Sequence, residues 1–332
     1  MEQTILGGTG MGVSSLCYGT WRFGRDFGGG VETDRASALD LLDAAWDRGI
    51  TFFDTANVYG KPNRRAERWL GEWLADHDRG EVTIASKVGL QVGEGPRGGG
   101  LSRRHVRAQL DRTLDALGTD YLDLYYVHRW DDATPVDAIV RTLDDLVREG
   151  RVHALGVSTM AAWKLVRALW AADRRDLEPF LVAQPPFDAA RQNAARYADF
   201  DLDAYLDVCA DQRLALCPYS PLAGGFLTGK YDREAAAPSG SRGARLGDTF
   251  ERKYVSEAAW DVLDAVRTVA DEVGGTPAQV ALRWLVDQDR FPAVVPIVGA
   301  RSVEQLDENV GAADLSLSRD QVERIREART AA

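Results

Sequence analysis

The sequence predicts an α/β protein folded as a (β/α)8 TIM barrel with an N-terminal hairpin and extra C-terminal helices. Three observations predict it. The chain has 332 residues, 45% hydrophobic and 27% charged, enough to bury the core of one large barrel domain over 1–332. Short apolar runs alternate with helix-like segments from residue 16 to the end. The runs lie at 16–20, 50–54, 82–87, 121–128, 152–158, 180–184, 214–219 and 293–298, which makes eight, the number that closes a parallel barrel.

The helical segments carry their own punctuation. In 38–47, Leu39, Leu42, Ala45 and Trp46 recur at helical spacing. Ser102 precedes a helix bearing Val106, Leu110, Leu114 and Leu117, which Gly118 closes. Thr134-Pro135 opens another that ends at Gly150. Thr276-Pro-Ala-Gln279 and Ser302-Val-Glu-Gln305 both read as capping boxes. Two pieces fall outside the repeat. The Gly-rich residues 1–15 suit an N-terminal hairpin over the barrel floor. Residues 223–275 form a long excursion after the seventh strand, with an extra helix over 256–273.

Composition narrows the function. Net charge is −11 with the acids spread along the chain, which disfavours nucleic acid or an anionic membrane as partner. Asp outnumbers Glu 35 to 16 and Arg outnumbers Lys 35 to 5, a bias that a GC-rich genome produces and a high-salt cytoplasm explains less well. No apolar run approaches a membrane span, and MEQTILGGTG lacks a basic region followed by an apolar core. Cys17, Cys209 and Cys217 follow no metal or redox spacing, so buried thiols in a reducing cytoplasm are expected.

The C-terminal strand ends of a barrel open on its catalytic face. Strands two, three and four end at Asp54, Lys87 and His128, and Tyr59 follows on the loop after Asp54. Only five Lys and four His occur in the chain, so their placement at two of these ends carries weight. Such a set suits proton delivery by a tyrosine. An ordinary phenol titrates near 10, and a neighbouring ammonium lowers that value. Lys87 supplies the ammonium, Asp54 holds it, and His128 meets a substrate carbonyl oxygen or relays a proton. The partner reaction is hydride transfer from a nicotinamide cofactor. The bland alternative makes Asp54 a cap, Tyr59 a packed rim residue, and Lys87 and His128 solvated.

The motifs FFDTANVYG, IASKVG, YYVHRWD, GVST, AQPPFD, CPYSPLAGGFLTGKY and IVGARSVEQLDENV follow one another along the chain. In this order they resemble the aldo-keto reductases over essentially the full length. The resemblance implies a barrel with NADP(H) across its C-terminal face and a tetrad at Asp54, Tyr59, Lys87 and His128.

The same resemblance implies a cofactor site. Gly19, Thr20 and Trp21 end the first strand beside the nicotinamide, and Asp54 lies near it. Ser158, Thr159 and Gln184 match the carboxamide positions, Tyr219 matches the stacking aromatic, and Ser220, Pro221 and Leu222 continue that stretch. Lys230 and Arg242 match basic positions at the pyrophosphate. Gly299, Arg301 and Gln305 match the segment that takes the adenosine 2′-phosphate, with Glu308 and Asn309 near the adenine. From the residues alone, Gly299-Ala-Arg301-Ser302 leads into a capped helix whose amides suit an anion. The resemblance at the 2′-phosphate segment implies NADP over NAD. A second glycine match, Gly93-Glu-Gly-Pro-Arg-Gly98, sits in the wrong context for a dinucleotide fingerprint and reads as a rim loop. Departures from the family pattern are Thr159 for Asn, Phe187 for Tyr, Ala66 for Ser before Glu67, and an insertion over 61–65.

Trp21, Phe23, Tyr59, Trp130 and Phe226 are candidates for an aromatic wall, with His128 beside it, facing an aldehyde, ketone or sugar. Arg22 and Arg25 read as solvated rim charge, or else as contacts for an anionic or hydroxylated substrate. Two other classes compete. One is a regulatory subunit that uses bound NADP as a redox sensor. The other is a metal-dependent hydrolase, which would want an HxH pair where Gly19-Thr-Trp21 stands. No metal is expected, and the sequence is silent on oligomeric state.

Overall fold

A computed structural model describes residues 1–27, 30–95, 98–190 and 199–330. Pro96 and Arg97, inside the glycine-rich match, lie outside the described residues. The chain begins with an antiparallel hairpin, β1 (Gln3–Ile5) and β2 (Gly12–Ser14). β3 (Cys17–Gly19) is followed by a second small hairpin, β4 (Asp26–Phe27) and β5 (Gly30–Val31), which the sequence reading did not anticipate. Then come α1 (Arg35–Asp47), β6 (Phe52–Asp54), α2 (Arg65–Leu74), β7 (Thr83–Val88), α3 (Arg103–Leu117), β8 (Leu122–Val127) and α4 (Val136–Arg148). β9 (Val152–Ser158), α5 (Ala162–Asp173), β10 (Phe180–Gln184), α6 (Leu202–Asp211) and β11 (Ala215–Leu216) continue the alternation. Three helices intervene before the last repeat, α7 (Arg242–Leu246), α8 (Asp248–Tyr254) and α9 (Glu257–Val273). The chain ends through α10 (Pro277–Val286), β12 (Ile297–Val298), α11 (Val303–Val310) and α12 (Arg319–Thr330).

β3, β6, β7, β8, β9, β10, β11 and β12 form one parallel sheet of eight strands. Parallel bridges from Leu216 to Val294 and from Tyr219 to Ile297 join its two ends, closing a (β/α)8 barrel. The strands are short and buried on both faces, so their side chains divide by parity. Phe52, Ala85, Leu124, Tyr126, Ala154, Val182 and Cys217 fill the interior. Phe53, Ile84, Tyr125, Val127, Leu155 and Val157 face the helical ring. Tyr126 fits inside because Gly156 lies opposite: a Cβ there would stand 2.4 Å from its ring. Leu6 and Val13 of the first hairpin join the interior cluster and close the floor, as expected.

The caps follow the sequence, with two exceptions. Ser102 accepts from the His105 amide, Gly118 ends α3 in the left-handed region, and Thr276 and Gln279 form a reciprocal capping box. Pro135 itself, without a side-chain cap, precedes α4. Ser302 accepts from the Gln305 amide, but the Gln305 side chain reaches past it to the Arg301 amide at 3.1 Å, so the expected second box is one-sided. Among the described residues no helix is long and apolar enough to cross a membrane.

Candidate active site

Strand parity decides what enters the barrel mouth. Asp54 stands two residues after Phe52, Lys87 two after Ala85, His128 two after Tyr126, and Gln184 two after Val182, each continuing an interior row. Tyr59 arrives differently, on a loop whose start is pinned when the Thr55 amide donates to Ala85 O at 2.9 Å.

The four expected residues come together. Lys87, wholly buried, donates from Nζ to Asp54 Oδ1 at 2.5 Å, to Thr55 O at 2.7 Å and to Tyr59 Oη at 3.2 Å. The Tyr59 ring meets His128 edge-on with centroids 6.0 Å apart. Asp54 has a further partner. Gln184 Nε2 donates to its Oδ2 at 2.9 Å, so the carboxylate is bracketed by an ammonium and an amide. The sequence places Gln184 at the carboxamide; its bond to Asp54 uses one of the two Nε2 N–H donors. Thr20 fixes Asp54 from below, its Oγ1 donating to Asp54 O at 3.1 Å.

Burial lowers the affinity of Lys87 for its proton, but Asp54 and Tyr59 more than offset it, so the lysine is held charged. Burial likewise lifts the Asp54 carboxyl above its usual range against the pull of Lys87 and Gln184. Tyr59 corrects an expectation. Burial pushes its phenol up, Lys87 pulls it down, Asp54 pushes it up again, and the net direction is upward. The phenol is therefore protonated at neutral pH. Burial, then the nearby Lys87 charge, holds His128 well below 6.5, and its Nδ1 is buried without a partner among the described residues. A neutral imidazole faces the mouth.

That depressed value has a consequence for stability. Below about pH 6.5 the unfolded chain binds a proton that folded His128 refuses, so this residue's contribution is present above that pH and lost as pH falls toward the folded value. Denaturation curves from about pH 7 to pH 5 are expected to show wild type losing stability faster than His128→Asn, by up to about 1.4 kcal/mol per pH unit. Equal slopes would remove His128 from this role.

The candidate cofactor residues line one side of the mouth. Ser158 Oγ donates to Gln184 O at 3.0 Å, and Thr159 Oγ1 shares a hydrogen bond of 3.2 Å with Tyr219 Oη. Ser220 and Ala223 adopt positive φ, turning the chain sharply through Pro221 and Leu222 toward Lys230. Trp21 is flanked by Arg25, 3.8 Å from its centroid, and Arg242 at 5.4 Å. Arg22 is not the solvated charge first expected. It pairs with the buried Glu32, which also binds Arg25 at 3.1 Å and Arg245 at 3.6 Å. Burial, opposed by Glu32 but reinforced by Arg242, Arg301 and Arg245, lowers Arg22 to about 10. Lys230 is lowered by burial and by Arg301, Arg22 and Arg245, with Glu308 opposing. Arg301 Nη1 reaches Gly240 O at 3.3 Å, which ties the start of α11 to the long excursion. Gly299 and Gln305 are exposed there, and Asn309 is buried on α11. Six cations thus crowd two carboxylates, Glu32 and Glu308, a concentration that suits phosphates.

Two aromatic assignments change. Phe226 is wholly buried against Trp260 at 4.8 Å, and Phe23 lies 6.0 Å from Tyr18 in the core, so neither forms a wall. Trp21, Tyr59 and Trp130 remain partly open at the mouth. The three cysteines are buried, and burial raises their thiols, Cys217 to about 12. Among the described residues no cluster of three or more potential metal ligands occurs.

A closed parallel barrel thus carries a charged lysine hydrogen-bonded to a phenol at its C-terminal mouth, where barrel enzymes place their active sites. A sequence model of the Aldo/keto reductase family matches residues 15–330, and the chain belongs to that family. It is 35% identical over 329 residues to an uncharacterized oxidoreductase, YrpG, of Bacillus subtilis, covering 96% of this chain and 93% of that one. It is 33% identical over 323 residues to the L-glyceraldehyde 3-phosphate reductase of Escherichia coli K12, covering 94% and 87%. A probable voltage-gated potassium channel subunit beta of Arabidopsis thaliana is 32% identical over 320 residues, covering 95% and 92%. The protein is an oxidoreductase enzyme of this family.

Proposed function

We propose that the protein reduces an aldehyde, ketone or sugar carbonyl with NADPH, Tyr59 delivering the proton. The observation that carries this reading is Lys87 Nζ placed between Asp54 and Tyr59 Oη. NADPH would supply the hydride. Trp21, Ser158, Thr159, Gln184 and Tyr219 would hold its nicotinamide end, while Lys230, Arg242, Arg301 and the amides after Gly299 would hold its phosphates. The surplus of cations around Arg22 and Lys230, each depressed by burial and then by its cationic neighbours, favours a ligand with several anionic groups. Neutral His128 hydrogen-bonds the carbonyl oxygen, and the protonated Tyr59 gives up its phenolic proton to that oxygen as the carbon is reduced. Lys87 stabilises the resulting phenolate, and Asp54 keeps Lys87 in position. The reverse reaction, oxidation of an alcohol, needs the phenolate first. Buried unpaired thiols suit a reducing cytoplasm.

The resemblance to a potassium channel subunit beta favours one second reading, a slow redox sensor that regulates a partner. Turnover separates the two. A panel of aldehydes, ketones and sugars assayed in both directions with NADP and NAD is expected to reveal efficient NADPH-dependent reduction. NADPH binding with no turnover across the panel would favour the sensor.

Arg301→Ala is expected to weaken NADPH binding by about tenfold to a hundredfold, the loss of one charge-assisted contact. NADH binding should change by less than about threefold, because the 2′-phosphate is what Arg301 meets. Equal losses for both cofactors, measured by fluorescence titration, would exclude that contact.

A further inference from the structure

Behind the lysine–tyrosine pair, outside the barrel, lies a buried polar network that the proposed mechanism does not use. Its centre is Gln109 on α3, whose Oε1 accepts from Asn57 Nδ2 at 3.1 Å and from Arg64 Nη2. Asn57 lies two residues before Tyr59 and Arg64 five after, so both flanks of the tyrosine loop meet one oxygen. Arg64 also donates to Glu67 Oε2 at 2.9 Å and to Thr113 Oγ1 at 3.1 Å. Glu67 Oε1 in turn accepts from Thr113 Oγ1 at 2.9 Å and from Ser86 Oγ at 2.8 Å. Ser86 precedes Lys87 on β7 and, by strand parity, points away from it toward the helices. Asn57, Glu67, Ser86, Gln109 and Thr113 are all buried.

We infer that Gln109 is a positioning residue, which sets the distance from Tyr59 Oη to Lys87 Nζ by holding both flanks of the tyrosine loop on one acceptor, while Arg64 and Glu67 carry the link on to Ser86 beside the lysine. Three features argue for more than packing. Arg64 belongs to the insertion after Tyr59 and enters α2 with a left-handed backbone, φ 53°, an uncommon conformation for an arginine. A buried ion pair such as Arg64–Glu67 adds little stability over apolar residues of similar volume, so its value here is geometric. The network also reaches the two catalytic candidates by separate routes, through Asn57 and Arg64 to Tyr59 and through Glu67 and Ser86 to Lys87.

The inference rests on Tyr59 as proton donor, and the test keeps the two separable. The titratable groups facing Tyr59 are Lys87, Asp54 and His128, with Cys17 below them. Gln109→Met keeps volume and helix but removes the shared acceptor. It is expected to lower kcat for carbonyl reduction by about tenfold to a hundredfold, as loss of alignment by ~1 Å does. The KM for NADPH should stay within about twofold, since the network touches no cofactor residue. The alkaline limb of the kcat profile should move up by roughly one pH unit as Tyr59 drifts from the ammonium. Gln109→Glu retains the acceptor and should restore both. If Gln109→Met folds poorly, Asn57→Ala removes the loop's side of the same contact and is read in the same way. A lower Tm with wild-type kcat and an unmoved limb would overturn the inference while leaving the mechanism intact, provided Tyr59→Phe is inactive in parallel. Near-wild-type activity in Tyr59→Phe would overturn both.

Discussion

Changing Tyr59 to phenylalanine is expected to lower kcat for carbonyl reduction by about three orders of magnitude, within the range that a positioned general acid supplies. Only one oxygen is lost. The ring still meets His128, and the Lys87–Asp54 pair remains, because Lys87 keeps its bonds to Asp54 and Thr55. NADPH binding should stay within about twofold, which separates loss of chemistry from loss of site. The pH dependence gives a second check. Burial outweighs the pull of Lys87 and holds the phenol above its ordinary value. On the proposed mechanism reduction by the wild type needs the protonated phenol, and it is then expected to be level through neutral pH and to fall only in alkali. Alcohol oxidation, which needs the phenolate, should climb over the same alkaline range. Reduction by Tyr59→Phe within tenfold of wild type would sink Tyr59 as the acid.

Much of the fold was legible because its signal is local. Eight apolar runs separated by punctuated helices place eight strands, and the parity of those strands sends Asp54, Lys87, His128 and Gln184 to one mouth. What escaped the reading depends on contacts between distant segments. The hairpin β4–β5 has only two residues in each strand, too few for periodicity to register. Glu32, deep among Arg22, Arg25 and Arg245, resembles any surface acid until the excursion after β11 folds back over the first loop. The bond from Gln184 to Asp54 joins residues 130 positions apart, which no local pattern announces. A signal for the network behind the site did exist. Glu67 shares a helical stripe with Leu70 and Leu74, and Gln109 and Thr113 share one with Val106, Leu110 and Leu117. Polar residues on an apolar stripe ask for a partner. Their identity could be read only once α2 and α3 lay side by side.

Lys87→Met is expected to be costly in two separable ways. It leaves Asp54 buried with Gln184 as its remaining side-chain partner among the described residues, and removes the Lys87 donor from Thr55 O. Stripping one member from a buried ion pair destabilises by about 3–5 kcal/mol at neutral pH. The loss should depend on pH. Burial already lifts the Asp54 carboxyl, with Lys87 the main opposing pull, so removing the ammonium lifts it further. A group whose folded value is raised contributes stability below its unfolded value, and that contribution fades as pH rises through the folded one. The variant should therefore gain on wild type between about pH 8 and pH 5, as Asp54 takes up a proton. Asp54→Asn/Lys87→Met removes the stranded charge and should recover most of the stability at neutral pH. It should not recover activity, because Tyr59 still lacks the ammonium that favours its phenolate, and kcat should stay about a hundredfold or more below wild type. Equal stability of Lys87→Met at both ends of that pH range would contradict a charge held by Asp54. Recovery of turnover in the double variant would show that the lysine acts on the fold and not on the phenol.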